Sequence, residues 1–186
     1  LLAMAASSRS LIVLQGCPGS GKSTVCKRFA RSLSASRVAL LVVTPTGTAT
    51  QATAASFCGE GVVEERAFTL AEFLINTSMH DKLRDAFASG QFDKWILMFD
   101  EYAACTASDF ERACELCATL KQNMRLQILM AGDHQQLPSV DTTIFKSRVF
   151  ADYLRDAPTF LRLTEPVRCR GDPDMEAVFE AVRKRD

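Results

Sequence analysis

The sequence Leu11-Ile-Val-Leu-Gln15 runs straight into Gly16-Cys-Pro-Gly-Ser-Gly-Lys-Ser-Thr24, a short apolar run followed by the pattern G-x-x-x-x-G-K-[ST]. The first part predicts a buried strand, and the second is the phosphate-binding loop. A triphosphate presents clustered anionic oxygens, which a chain wraps with backbone N–H groups at close range. Gly16, Gly19 and Gly21 permit that approach and supply positive φ where it is needed. Lys22 sets a cation against the β- and γ-phosphates, Ser23 offers a hydroxyl to Mg2+, and Thr24 completes the nucleotide-binding set. Beyond the loop, Lys22 to about Ser34 predicts a helix with Val25, Phe29 and Leu33 on one stripe. Its positive N-terminal end points at the phosphates. ATP and Mg2+ are therefore the expected cofactors.

A second strong pattern lies some 80 residues on, where Trp95-Ile-Leu-Met-Phe99 is followed by Asp100-Glu101. A buried strand that delivers two adjacent carboxylates suits an Mg·ATP hydrolase, with one acid near the metal and the other near the attacking water. Asp100 is assigned to the metal, through its water shell, and Glu101 to the general-base or water-orienting role. A third strand, Arg125–Ala131, ends in Gly132-Asp-His-Gln-Gln-Leu-Pro138. Gln136 both donates and accepts without carrying charge, which suits sensing of a γ-phosphate or the attacking water. His134 is expected to be structural or solvated, because Glu101 already suits the base role.

Between these patterns, Arg37–Thr44 is a continuous apolar run of the kind found in parallel strands covered on both faces. It ends in Thr44-Pro-Thr-Gly-Thr-Ala49, where hydroxyls sit at a strand's carboxyl end, the edge at which open α/β sheets bind ligands. A plain strand-to-helix turn is the alternative reading of the same residues. Thr53-Ala-Ala-Ser-Phe57 and Thr69-Leu-Ala-Glu-Phe-Leu74 each join Thr to an aromatic, a composition suited to stacking bases of single-stranded nucleic acid. Helical spacing instead places Phe73 and Leu74 in the core. Asp81–Ser89 predicts a short helix closed by Gly90, and Ser108-x-x-Glu111 reads as a capping box opening a helix to about Asn123.

The 186 residues make one domain or slightly more, and 47% hydrophobic content allows a sizeable core. No run approaches the roughly 18 apolar residues of a membrane span, so a soluble chain with no membrane partner is expected. Equal numbers of basic and acidic residues, 22 of each, exclude a global basic field. Nucleic acid would be held by local contacts. The opening Leu1-Leu-Ala-Met-Ala-Ala has no signal-peptide layout, and residues 1–10 read as a flank or a junction remnant. Seven cysteines, an odd number, suit free thiols in a reducing intracellular compartment, cytoplasm or nucleus. Cys114-x-x-Cys117 is the one pair with metal-like spacing. It falls on the apolar helix stripe Phe110, Cys114, Cys117, Leu120, where packing is the simpler reading.

Taken in order and spacing, Gly16–Thr24, Thr44–Ala49, Asp100-Glu101 and Gly132-Asp133…Gln136-Leu137-Pro138 resemble motifs I, Ia, II and III of superfamily 1 helicases. Thr46-Gly47…Ala49 and the Gln-Leu-Pro after Gly-Asp most resemble the 1B branch, the RecD-like and Pif-type enzymes that move 5′ to 3′. Leu163-Thr-Glu-Pro-Val-Arg168 resembles that family's motif IV, whose arginine reaches the γ-phosphate. Asp172–Arg183 reads as a capped helix of the kind family members carry there, with Met175, Val178, Phe179 and Val182 inward. The resemblance covers residues 11 to about 183. It implies an α/β, three-layer, RecA-like fold with a mainly parallel sheet over residues 11–186. It also implies a partnership with a second RecA-like lobe in the full-length protein, and ATP hydrolysis that drives stepping on single-stranded nucleic acid, DNA favoured over RNA. Thr46, Ser56 and Phe57 are the nucleic-acid candidates it suggests.

The departures are specific. The family's Thr-x-His-Ser-Phe element has alanine in place of histidine, whether it is read as Thr53–Phe57 or as Thr69–Phe73. Arg168 is followed by Cys169 where relatives have glutamine, and the adenine-reading glutamine motif of many relatives does not occur in the residues before Leu11, either lost or cut off with what precedes them, which leaves base selectivity open. Two other readings remain open at this point: a viral-type superfamily 1 RNA helicase with RNA 5′-triphosphatase activity, and a nucleotide-dependent binding module whose motor activity has lapsed.

Overall fold

A computed structural model of the protein describes residues 11–33, 37–57, 67–90, 92, 94–120, 125–133, 143–155, 158–164 and 167; the side chains of residues 56, 57 and 125 are not described. Its centre is a six-stranded parallel sheet in the order β3-β2-β4-β5-β1-β6. The strands are β1 (Leu11–Gly16), β2 (Val38–Thr44), β3 (Ala67–Thr69), β4 (Lys94–Asp100), β5 (Arg125–Gly132) and β6 (Thr159–Leu163). The helices are α1 (Lys22–Leu33), α2 (Gly47–Phe57), α3 (Leu70–Ile75), α4 (Thr77–Ala88), α5 (Ala107–Leu120) and α6 (Arg148–Arg155). Short 3-10 turns cover Tyr102–Ala104 and Ile144–Lys146.

Two cores follow from the period-two alternation of the strands. Leu11, Val13, Leu41, Val43, Trp95, Leu97, Phe99, Ile128 and Met130 face one side, where Phe73, Phe110 and Phe150 from α3, α5 and α6 cover them. Ile12, Leu14, Leu40, Val42, Ile96, Met98 and Leu129 face the other, against Cys26, Phe29, Ala30 and Leu33 of α1. This is the three-layer arrangement that near-continuous apolar strands require. In α1 the predicted stripe holds for Phe29 and Leu33, while Val25 packs at its margin. Among the described residues no helix is long and apolar enough to cross a membrane.

Two expectations are revised, and the choice left open at Thr69–Phe73 is decided for the core. The helix predicted from Asp81 starts at Thr77, because Asn76 caps it by accepting from the Met79 N–H at 3.0 Å; Gly90, at φ +71°, follows its end as expected. The proposed capping box at Ser108 and Glu111 is two residues out of place. The Thr106 hydroxyl accepts from the Asp109 N–H at 3.0 Å and donates to the Asp109 carboxylate at 2.9 Å. An antiparallel bridge between Thr106 and Thr143 holds Thr106 extended, so the helix begins just after it. Glu111 instead accepts from the Ser147 hydroxyl at 2.7 Å and the Arg148 N–H at 3.0 Å, which fixes the start of α6. The stripe of α5 is buried at Phe110, Ala113, Cys117 and Leu120, with Cys114 half-buried beside it. Lastly, Thr69–Phe73 is a structural element: Thr69 caps α3 through the Glu72 N–H, and Phe73 is fully buried beside Phe68 and His80. The expected helix at Asp172–Arg183 lies outside the described residues.

Candidate nucleotide site

Strand register brings the site together. Gln15 lies opposite Gly132, Asp100 opposite Ala131, and Gly16 opposite Leu163. The carboxyl ends of β1, β4, β5 and β6 are therefore level, and the chain leaves each at the edge where parallel sheets bind ligands.

The loop after β1 has the backbone its glycines allow. Gly19 and Gly21 sit at φ +76° and +91°, a region costly for residues with a Cβ. Gly16 serves by close approach: a Cβ there would lie 2.3 Å from Ser20 Oγ and 3.1 Å from Leu163 Cβ. The Ser20 N–H donates to the Cys17 carbonyl at 3.1 Å, and Val25 N–H to Gly21 O at 3.0 Å begins the helical ladder. Lys22 Nζ reaches back across the loop to the Gly16 and Cys17 carbonyls, at 2.6 and 3.0 Å. Ser23 and Thr24 are exposed in the first turn of α1. From the far end of the chain, the Val167 N–H donates to the Gly19 carbonyl at 3.0 Å.

Asp100 closes the other side of the site. Its Oδ2 accepts from the Thr53 hydroxyl at 3.2 Å and its Oδ1 from the Glu101 N–H at 3.1 Å. Burial pushes its carboxyl above the ordinary range, against the lowering effects of these two bonds and of the Lys22 charge. Cys26, on the buried face of α1, is pushed up to about 12 by burial and by the Asp100 charge. Glu101 is exposed and adopts φ +54°, ψ +43°, the left-handed conformation that non-glycine residues rarely take. Its carbonyl accepts from Ala104 N–H, starting the turn that buries Tyr102. The Tyr102 hydroxyl accepts from Gln15 Nε2 at 3.3 Å, and its ring lies against Gly132, where a Cβ would come within 2.8 Å. Gly132 is thus required by the ring beside it.

The loop, Lys22, Ser23, Asp100 and Glu101 accordingly share one edge of the sheet. Thr46 lies at the same edge, exposed, but its hydroxyl caps α2 by accepting from the Ala49 N–H at 3.2 Å. Gln136, His134 and Arg168 lie outside the described residues, as do the side chains of Ser56 and Phe57. The sequence reading does not single out Thr53 as a partner of Asp100, Tyr102 as the packing partner of Gly132, or the bond from Val167 to the loop. A signal for Thr53 does exist: hydroxyls at 46, 50 and 53 fall on one helical face.

Among the described residues no three His, Cys, Asp or Glu side chains converge as a metal cluster. One hydroxyl and one oriented carboxylate remain, both hard oxygen donors. That set fits Mg2+ delivered with phosphate oxygens and its own waters, the usual way this ion binds.

Fold and site together define a P-loop nucleotide-binding domain of the three-layer α/β kind. An AAA domain family model matches residues 1–186, and the chain belongs to that family. The fold is shared with solved Pif1 helicases. That from Candida albicans is 21% identical with a TM-score of 0.65, covering 96% of this chain and 41% of its own. That from Bacteroides, in complex with ADP-AlF3 and ssDNA, is 18% identical with a TM-score of 0.68, covering 98% and 44%. The chain thus spans less than half the length of either and has the fold of a RecA-like lobe. No curated protein matches it in sequence.

Proposed function

We propose that the chain is the ATP-binding lobe of a superfamily 1B helicase, which hydrolyses ATP to drive movement on single-stranded nucleic acid, with DNA favoured. The observation that carries this reading is the convergence of the glycine loop, Lys22, Asp100 and Glu101 at one sheet edge, tied by Val167 to the segment that resembles motif IV. Lys22 binds the β- and γ-phosphates, exchanging its two loop carbonyls for phosphate oxygens. Ser23 and Asp100 would hold Mg2+, whose charge when bound offsets that developing on the phosphoryl oxygens. Glu101 orients the attacking water and accepts its proton. Its left-handed backbone sets the carboxylate one residue beyond the metal-side acid, the kind of strained geometry found at functional sites. Gln136 and Arg168 read the γ-phosphate. Thr46, Ser56 and Phe57 are the residues proposed to meet the polymer. The second RecA-like lobe completes the cleft, and a reducing intracellular compartment suits the thiols Cys17, Cys26, Cys105, Cys114 and Cys117.

The test is ATP turnover by a protein that includes both lobes, with no polymer, single-stranded DNA or single-stranded RNA. Stimulation by DNA is expected, with Lys22→Ala lowering turnover by at least about a hundredfold while the melting temperature stays close to that of the parent. Undiminished turnover in Lys22→Ala would refute the site assignment. Stimulation by RNA alone would replace the polymer.

A further inference from the structure

Helix α2 carries a row of hydroxyls along one face. Thr44, fully buried at the end of β2, has its hydroxyl 2.5 Å from that of Thr50, and both also approach the Thr46 carbonyl, at 3.1 and 3.0 Å. The start of the helix is thereby fixed to the strand. One turn later Thr53, 7% exposed, reaches the Asp100 carboxylate on the neighbouring strand β4. A carboxylate at a strand end has freedom about χ1 and χ2, and the Glu101 N–H restrains only one of its oxygens. Thr53 restrains the other.

We propose that Thr53 is a positioning residue for metal-dependent nucleotide binding: its hydroxyl, held by α2, fixes the rotation of the Asp100 carboxylate so that the acid meets the metal's water shell already oriented. This rests on the assignment of Asp100 above. Partners that orient a metal-side carboxylate commonly change metal affinity by 10–100-fold when removed. Asp100 engages the ion through water, so the lower end of that range applies here.

The experiment measures the affinity of the chain for a fluorescent ADP in EDTA and across a Mg2+ titration, for the parent, Thr53→Val and Thr53→Ser. Valine keeps the shape and loses the hydroxyl, whereas serine keeps the hydroxyl. Expected are equal affinities in EDTA, parent-like Mg2+ dependence for T53S, and about tenfold more Mg2+ for half-maximal tightening in T53V. T53V titrating like the parent overturns the proposal. So does a T53S deficit, which would place the effect in the lost methyl contact; if T53V does not fold, Thr53→Ala, which also lacks the hydroxyl, is titrated in its place with the same expected and overturning results. Parent chain that fails to bind ADP in either condition overturns the nucleotide-site reading itself, a result distinct from normal binding with an unaltered T53V titration.

Discussion

Replacing Gly16 by alanine tests how tightly the phosphate loop is packed against the last strand. The added Cβ would sit 2.3 Å from Ser20 Oγ, 3.1 Å from Leu163 Cβ and 3.2 Å from Leu163 O. The hydroxyl of Ser20 can swing aside. Leu163 cannot, because it is paired in register with Gly16 on β6, and moving it parts the edge strand from the sheet. Overpacking of this kind costs about 1–3 kcal/mol. With about 2–4 °C of Tm per kcal/mol for a chain of this size, Gly16→Ala should melt roughly 2–12 °C below the parent. Adding Ser20→Ala removes the nearest obstacle and should recover about 0.5–1 kcal/mol, leaving the Leu163 share. Thermal unfolding followed by circular dichroism for the parent, both single variants and the double gives the cycle. A Gly16→Ala midpoint within a degree of the parent would refute the packing account. Complete recovery in the double variant would refute the part assigned to β6.

Asp100→Asn should abolish Mg2+-dependent turnover and yet melt higher than the parent at pH 7. Burial raises the Asp100 carboxyl, so the folded chain holds this proton more tightly than the unfolded chain, and the ionised form costs stability above the folded value. That cost fades as the pH falls through the folded value toward the ordinary 3.8, so the gap between variant and parent should close in melts taken at successively lower pH. A gap that widens instead would reverse the sign. Glu111→Ala removes the acceptor of both Ser147 and the Arg148 N–H at the start of α6; a loss of about 1 kcal/mol, read by urea titration, is expected, and Glu111→Gln should restore part of it. The thiols of Cys26, Cys105 and Cys114 are each pushed up to about 12, by burial first. A maleimide reagent at neutral pH should leave all three unmodified in the folded chain and label them in denaturant, with mass spectrometry locating the adducts.

What the sequence discloses and what it hides divide along physical lines. Leu11–Thr24 and Trp95–Glu101 are legible because strand, turn chemistry and acid or lysine follow one another within a few residues. Helix α2 is hidden because Ala and Thr surround it on all sides and leave no apolar stripe to read. Strand β3 is three residues long, too short for any period to show. Helix α6 has a local cap, the Ser147 hydroxyl accepting from the Phe150 N–H at 3.1 Å, but the acceptor that holds Ser147 and the Arg148 N–H is Glu111, some 36 residues earlier, which no local pattern contains. Ser108 and Glu111 have the right spacing for a cap, but Thr106 wins because its bridge to Thr143 keeps it out of the helix. The Thr53 contact needs β2 and β4 to be neighbours, a fact of topology that spacing along the chain does not contain. Gly132 is readable as part of a motif, yet its physical reason, the Tyr102 ring, emerges only when β5 meets the turn after β4.

The sheet order also sets a timetable. Strand β1 precedes the other five described strands in the chain, yet its neighbours among them are β5 and β6, so about 110 residues must follow Gly16 before β1 has a partner on either side. At about 5–20 residues per second of synthesis, the growing chain passes on the order of 10 s with an apolar strand and the glycine loop behind it unpaired. Meanwhile β2, β3 and β4 can already assemble as a unit, since their pairings lie wholly within residues 38–100. The nucleotide loop is thus made before most of the sheet and is the last part of it to acquire its shape. ATP would select for chains in which that final docking is complete.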